Sequence, residues 1–375
     1  MSGHIALPHR AAALLLLAGA AALIAGAPTF TTAQAADPGI PVTATELTPL
    51  PDPSLAYNRM AQAMGLFAKH GLVFQPGPDL AGGGPERVQA VATNNSEVAT
   101  ADIIAALGGI FSGAKIKILM VMTPYGDEEI WGQKKYKTMK DAVGQTWGIA
   151  SLGGAQRFNG QMAVEGMGLD PNAFRWVAIG GGDGPILQAV DTGRTQLGSL
   201  SHLGAVLAEA KGFTTTIHVL VPHTAKFTPP VPRLVVVART DWIETHQAAA
   251  TDYVEMMLDM MRQWQDHARA WVTPAAALYA KSGVTDKQLQ TAWREFRDGG
   301  YFSVNGGVNF AGTKKIMDLF FKVRDESPNE YLSKPSDVYD TGPLKKALDK
   351  MGIAKGTPGL PDIPDWYKGT GGHAG

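Results

Sequence analysis

Two stretches of this sequence, one hundred residues apart, follow the same pattern. Residues 82–91 read GGGPERVQAV, and residues 180–190 read GGGDGPILQAV. In each stretch a glycine run leads to a proline, Pro85 or Pro185, and then to Gln-Ala-Val. Glycine permits a sharp backbone turn, and proline is favoured in the first turn of a helix. The pattern therefore predicts that the chain builds the same turn and helix twice.

The segments around both stretches alternate between strand and helix patterns in the same order. Strands are predicted at 42–48, 72–75, 97–101 and 116–122, and again at 145–151, 174–179 and 195–201. This alternation is typical of an α/β protein with mostly parallel sheets flanked by helices. The distance between the two matching stretches, one hundred residues, is far too long for a solenoid repeat. We therefore expect two lobes of similar topology.

The later chain returns to the first lobe. Strands are predicted at 214–223 and 233–239, and one long amphipathic helix is predicted at 241–271. Between the two halves, the polar segment 124–138 (PYGDEEIWGQKKYKT) is interpreted as a solvated crossover. We therefore predict a discontinuous lobe I at 36–124 and 222–355 and a continuous lobe II at 125–221. An irregular Gly/Pro-rich tail is predicted at 356–375.

The first 35 residues have the pattern of a secretory signal. Arg10 is the only Lys, Arg, Asp or Glu before Asp37, and an apolar run from Ala11 to Ala27 follows it. Ala33-Gln34-Ala35 then matches an A-x-A cleavage site. A membrane anchor is the alternative, but the run is short and rich in Ala and Gly, which insert weakly. We predict that residues 1–35 are removed and that the protein is periplasmic.

Composition excludes several classes of function. The chain has 375 residues, 45% of them hydrophobic, and a formal net charge of −1, which suits two globular domains and argues against nucleic acid. It contains no cysteine, which removes thiol nucleophiles, thiolate metal sites and iron–sulfur clusters. The same absence removes the cysteine that would carry a lipid anchor, so we expect a freely diffusing protein.

Glycine runs mark three strand-to-helix junctions, at Gly82–Gly84, Gly153–Gly154 and Gly180–Gly184. Ligands of open parallel sheets bind at such junctions, beyond the carboxyl ends of the strands. Glycine lets a ligand approach the backbone, and a helix N-terminus offers unpaired N–H groups and partial positive charge. A carboxylate or sulfonate suits such a site. The alternative is that each run only makes a tight turn.

Nucleotide, metal and catalytic motifs are missing from the sequence. The template G-x-G-x-x-G, started at Gly180, fails at Pro185, and no G-x-x-x-x-G-K-[ST] is present. There is also no G-x-S-x-G and no H-E-x-x-H. We therefore predict a protein with no cofactor, no metal and no catalytic activity.

Several segments, taken in order, resemble one family of proteins. They are GLFAKHGL (65–72), GGGPERVQAVATNNSEVATAD (82–102), MKDAVGQTWGIAS (139–151), GLDPNAFRWVAIGGGDGPILQAVDTGRTQLGSL (168–200) and RLVVVARTDWIETHQAAATDYVEMML (233–258). Their order is similar to that of the periplasmic binding proteins for nitrate, sulfonates and taurine, which include binders of thiamine-pyrimidine precursors. The resemblance implies a type II periplasmic-binding-protein-like fold with a ligand cleft between the lobes. It also implies a monomeric, hinge-closing receptor that delivers its ligand to the membrane permease of an ABC importer.

The resemblance also implies which residues contact the ligand. Carried over by position, and extended to the neighbouring strand ends, they are Leu50, Asp52, Tyr57, Gly83, Ala101, Asp102, Thr123, Ser151, Leu152, Gly153, Gly154, Gly182, Asp183 and Ser201. Arg157, in the first turn of a helix, is a candidate for pairing with a carboxylate or for simple solvation. His202, at a strand end, is a candidate ligand contact or helix cap.

The resemblance favours a small organic anion as ligand, either a sulfonate or a carboxylate and with an aromatic group allowed. Leu152 beside the single hydroxyl of Ser151 points to a bulky ligand of low polarity. A neutral heteroaromatic compound such as a pyrimidine precursor of thiamine is the alternative. Enzymes of related fold are a further alternative, but they depend on cysteine chemistry that this chain lacks.

Overall fold

The structure is a computed structural model that describes residues 39–46, 56–78, 80, 83–126, 128–210, 212–213, 215, 218–220, 231–278, 280, 284–324, 334–356, 360, 362 and 365–368. The predicted secretory signal, the candidate ligand residues Leu50 and Asp52, and most of the predicted tail lie outside these ranges. In the part of the chain that is described, no helix is long and apolar enough to span a membrane.

Ten strands and fourteen helices are assigned within the described ranges. The strands are β1 (Ile40–Thr45), β2 (Leu72–Pro76), β3 (Val98–Asp102), β4 (Ile116–Thr123), β5 (Glu128–Gly132), β6 (Thr146–Ile149), β7 (Arg175–Ala178), β8 (Leu197–Ser201), β9 (His218–Leu220) and β10 (Leu234–Arg239). The helices are α1 (Tyr57–Ala63), α2 (Leu66–Lys69), α3 (Gly84–Ala92), α4 (Ile103–Phe111), α5 (Ala155–Gly166), α6 (Asp183–Asp191), α7 (His202–Ala210), α8 (Thr240–Thr245), α9 (Gln247–Asp266), α10 (Ala268–Leu278), α11 (Asp286–Asp298), α12 (Phe310–Arg324), α13 (Gly342–Met351) and α14 (Asp365–Lys368).

The strands form two five-stranded sheets with matching topology. The orders are β2-β1-β3-β10-β4 and β7-β6-β8-β5-β9. In each sheet the first three strands are parallel, and the fourth strand is antiparallel to both of its neighbours. The chain passes between the sheets twice, after β4 and after β9. The predicted two-lobe α/β fold is thereby confirmed, whereas the residue boundaries given above for the lobes stay predictions.

The chain does cross to the second sheet within segment 124–138, but the interpretation that this segment is solvated is wrong at residues 128–132. Its residues Glu128–Gly132 form β5, an inner strand between β8 and β9. Glu128 and Glu129 are only 1% and 2% exposed. Both carboxylates are paired with cations from distant parts of the chain. The local charge pattern of the segment cannot indicate such distant partners.

The long helix predicted at 241–271 is divided into three. Its α9 section buries a stripe of methionines, among them Met257 and Met261, against the core. The breaks fall at His246 and His267, whose backbones leave the helical conformation. Helices α8 and α9 therefore pack on the first sheet as separate segments, and α10 packs on α9 and α11.

A stacked tryptophan pair organises the core of the second lobe. The rings of Trp147 and Trp176 lie 4.4 Å apart, and helix α5 passes over them at Gly160. A methyl group on Gly160 would lie 2.7 Å from Trp176 and 3.2 Å from Trp147. Only glycine fits at this crossing.

We expect Gly160→Ala to lower the free energy of unfolding by about 1–3 kcal/mol, because a well-packed core accepts no added methyl without strain. Urea unfolding of the two proteins measures this difference. Gly184→Ala is the matched control, since a methyl group there has no atom within 4 Å. That control should change the free energy of unfolding by less than about 1 kcal/mol, because no clash offsets the small and opposing effects of helix propensity and of the following Pro185. Equal effects of the two substitutions would contradict the packing account.

Candidate functional site

A cavity of about 80 Å³ lies between the two sheets, at the strand ends that lead into α3 to α7. The first lobe contributes Gly83, Gly84, Arg87, Asp102, Arg233 and Leu234. The second lobe contributes Glu128, Ala150, Ser151, Gly154, Ala155, Gln156, Gly182, Asp183 and Ser201. Both lobes therefore form the walls of one cleft.

The glycine turns of the two lobes face each other across this cleft. A Cβ placed on Gly83 in the first lobe would lie 3.7 Å from the hydroxyl oxygen of Ser151 in the second. A Cβ placed on Gly153 in the second lobe would lie 3.6 Å from the ring of Pro85 in the first. The turns of both lobes thus meet at the cavity.

Gly83 and Gly182, which precede α3 and α6, adopt almost the same conformation. Their φ and ψ angles are 89° and −155° for Gly83, and 79° and −157° for Gly182. This region of backbone space is essentially restricted to glycine. The prediction that the chain builds one turn-and-helix unit twice is confirmed.

The helices that begin at the cavity are of two kinds, those with a side-chain cap and those without one. Asp102 caps α4 by accepting the N–H of Ala105 at 2.9 Å, and Ser201 caps α7 by accepting the N–H of Gly204 at 3.0 Å. By contrast, α3, α5 and α6 have no side-chain cap, and all three begin at the cavity. Within the described residues, no side chain caps the first N–H groups of these three helices, and a helix N-terminus of this kind favours an acceptor or an anion.

Arg87 is the most unusual residue of the cavity wall. It lies on α3 and is only 4% exposed, and its Nε donates weakly to the carbonyl of Gly83 at 3.4 Å. Within the described ranges, its buried Nη1 has no hydrogen-bond partner and its guanidinium is in no ion pair. Burial lowers the pKa of Arg87, and the nearby charges of Asp102 and Glu46 offset part of that effect.

Arg233, the second arginine of the cavity, is neutralised by the protein. Its Nε and Nη2 donate to one oxygen of Glu128 at 2.9 and 2.8 Å. The other oxygen of Glu128 accepts the amide of Asn159 at 2.5 Å. Both charges are almost fully buried, so each depends on the other.

The two aspartates of the cavity hold the turns in place. Asp183 accepts the backbone N–H and the hydroxyl of Ser201 at 2.9 and 2.5 Å. Asp102 fills the space beside Gly84, where any Cβ would collide with its carboxylate. Burial raises the pKa of Asp102, although the N–H of Ala105 and the charge of Arg87 work in the opposite direction.

The structure brings seven of the fourteen described site residues that were derived from the sequence to the cavity. Those in its wall are Gly83, Asp102, Ser151, Gly154, Gly182, Asp183 and Ser201. Tyr57 and Thr123 instead line a smaller neighbouring cavity among aromatic rings, with their hydroxyl oxygens 3.0 Å apart. Leu234 lines both cavities. The roles of these residues in ligand binding stay predictions.

The remaining candidates lie outside the cavity wall. They are Ala101, Leu152, Gly153, Arg157 and His202. Arg157 reaches only the carbonyl of Leu152, at 3.4 Å, and His202 lies between two glutamates. The cation that the cavity does contain, Arg87, was missed from the sequence. The sequence did contain a signal that Arg87 is buried. Arg87 lies three residues after Gly84 and four before Val91, and that spacing places it on the buried face of α3.

Metal binding has no support in the described part of the chain, where no group of three His, Asp or Glu side chains could hold an ion.

No family model matches the sequence, and no curated protein matches it. Many solved structures do share its fold. The periplasmic nitrate-binding protein NrtA from Synechocystis superimposes with a TM-score of 0.66 at 12% identity, over 84% of this chain and 90% of its own. A ligand-binding component of an ABC-type import system from Staphylococcus aureus, with zinc bound, superimposes with a TM-score of 0.62 at 14% identity. The match covers 82% of this chain and 99% of that one.

A third neighbour is the alkanesulfonate-binding protein SsuA from Xanthomonas axonopodis, bound to MOPS. It gives a TM-score of 0.60 at 11% identity, over 78% of this chain and 96% of its own. At such identities the comparison establishes the fold, which is that of the periplasmic binding proteins.

Proposed function

We propose that this protein is an extracytoplasmic solute receptor. It binds a small organic anion, a sulfonate or a carboxylate, between its two lobes and delivers it chemically unaltered to the permease of an ABC importer. The observation that carries the proposal is Arg87, a buried guanidinium in the cavity wall that forms no ion pair with a carboxylate of the described residues.

A buried charge without a partner destabilises the empty protein, so its retention needs a compensating interaction. An anion in the cavity supplies it through a charge-assisted hydrogen bond to Arg87. The uncapped first turns of α3, α5 and α6 add N–H donors and partial positive charge at the same place. Cation and donors together favour an anionic head group.

The size of the cavity also favours a small head group. A volume of about 80 Å³ equals the space of several water molecules, at about 10–15 Å³ each on this measure. Neighbours of the same fold are a nitrate-binding protein and an alkanesulfonate-binding protein. A neutral heteroaromatic ligand is the second candidate, and it would leave Arg87 without a counter-charge.

The remaining parts of the proposal follow from the same role. The protein would be exported through residues 1–35, act as a monomer without lipid anchor, and close about the two crossings between lobe I (36–124 and 222–355) and lobe II (125–221).

A thermal-shift screen tests the proposal. Benzenesulfonate, benzoate and short-chain sulfonates would be compared with benzenesulfonamide, benzamide and pyrimidines, which are neutral. We expect only anions to raise the melting temperature, by an amount that corresponds to about 2.7 kcal/mol at one hundred times the dissociation constant. Stabilisation by a neutral pyrimidine and by no anion would contradict the proposal and favour the second candidate.

A further inference from the structure

The imidazole of His202 lies between two carboxylates that come from different elements. Its Nδ1 is 2.6 Å from Oε1 of Glu129 on β5, and its Nε2 is 2.8 Å from Oε2 of Glu295 on α11. Only a protonated imidazole has hydrogens on both ring nitrogens. Since both neighbours are acceptors, the arrangement selects the charged form of His202.

One of these two contacts joins the two lobes. His202 begins α7, and Glu129 belongs to the second sheet. Glu295 is carried by α11, whose buried face packs in the core cluster of the first lobe through Leu289 and Phe296. The contact to Glu129 therefore lies within the second lobe, whereas the contact to Glu295 crosses from one lobe to the other.

The surroundings of the ring contain few other charges. The side chain of His202 is 15% exposed and that of Glu129 only 3%. On α11 the residue next to Glu295 is Phe296, whose ring meets the imidazole edge-on at 5.5 Å. On the neighbouring helix α6, Asp183 directs its carboxylate to Ser201 instead. The two glutamates thus determine the charge of His202.

Burial alone would lower the pKa of His202. The hydrogen bonds and charges of Glu129 and then Glu295 outweigh that effect and raise the pKa to about 9. When one conformation raises the pKa of a group, that conformation is stabilised at low pH, where the group is protonated. The stabilisation is lost as the pH rises through the raised pKa. The closed arrangement, in which Glu295 is in place, therefore holds the proton more tightly than an open one.

We propose that His202 is a proton-dependent latch between the lobes, fixed by Glu129 in its own lobe and engaged by Glu295 of the other lobe only when the cleft is closed. This proposal concerns regulation of the proposed binding site and rests on the proposed opening of the cleft. Loss of the proton weakens the latch and favours the open, releasing state.

A second ion pair crosses between the lobes and supplies a matched control. Lys322 on α12 lies 2.6 Å from Glu165 on α5, but the two side chains are 68% and 44% exposed. Such exposed pairs contribute little to stability, and this one contains no histidine.

The test measures lobe closure without any ligand. The chain has no cysteine, so spin labels can be attached specifically at Asp191→Cys on α6 and Lys346→Cys on α13, both exposed positions. Electron–electron distance measurements then report the closed and open populations at each pH. Because no ligand is used, the outcome is independent of whether the anion screen succeeds.

We expect the closed population to fall as the pH rises through about 9. Glu295→Gln should lower the ratio of closed to open protein near neutral pH about tenfold, since one pKa unit of differential proton binding corresponds to that factor. It should also flatten the pH response. Lys322→Gln should match the parent at every pH. The proposal is overturned by a single distance at all pH values, or by equal effects of Glu295→Gln and Lys322→Gln.

Discussion

Replacement of Arg87 by methionine is expected to stabilise the empty protein and to remove its response to anions. Methionine fills a similar volume without a charge, and it removes a buried donor that has no hydrogen-bond partner, whose desolvation costs about 1–3 kcal/mol. Thermal or urea unfolding without ligand measures this gain. The guanidinium is thus expected to cost stability when the site is empty.

The same substitution should weaken anion binding strongly. Truncating one partner of a buried, hydrogen-bonded charge pair costs about 2–5 kcal/mol, which corresponds to about 30-fold to several thousandfold in affinity. Calorimetry with the best anion from the thermal-shift screen measures the loss.

Arg157→Met is the matched control for Arg87→Met, because Arg157 lies outside the cavity wall. Its half-buried side chain should leave the anion affinity within about 0.5 kcal/mol of the parent protein, because it does not line the cavity. If Arg157→Met weakens binding and Arg87→Met does not, the anion site has been assigned to the wrong arginine.

Glu128→Gln is expected to have the opposite signature to Arg87→Met. The substitution keeps the shape of the side chain but leaves the buried Arg233 without its carboxylate. Breaking a buried ion pair in this way destabilises proteins by about 3–5 kcal/mol. A second uncompensated cation would then face the cavity, so we expect anions to bind about tenfold or more tightly.

Urea unfolding and calorimetry on the same preparation measure both parts of this prediction. Glu165→Gln serves as control, because it breaks an exposed ion pair and should cost less than about 1 kcal/mol. A variant that stays as stable as the parent protein and gains no anion affinity would show that Glu128 does not neutralise Arg233.

The order of elements and the glycine turns were predictable from the sequence, for a physical reason. Turn and helix signals are local, so the runs before Pro85 and Pro185 indicate their structure without knowledge of the rest of the chain. The nearly identical angles of Gly83 and Gly182 reflect this. The two-lobe α/β class followed from the alternation of strands and helices.

The charged residues of the cleft were not predictable in the same way, because their partners are distant in sequence. Glu128 pairs with Arg233, 105 residues away, and His202 is bound by glutamates 73 and 93 residues away. Without those partners, a run such as Asp127-Glu128-Glu129 has the composition of a solvated loop. Arg87 was missed because an arginine on a helix is usually solvated.

The most direct test of the central claim is a crystal of the mature protein soaked in iodide, examined by anomalous diffraction. Iodide is a small anion whose position the anomalous signal identifies without reference to any ligand chemistry. The account predicts a strong peak in the cleft, beside the guanidinium of Arg87 and the first N–H groups of α3 and α5. Iodide peaks confined to the outer surface, with the space beside Arg87 filled by side chains or left without an anion, would contradict it.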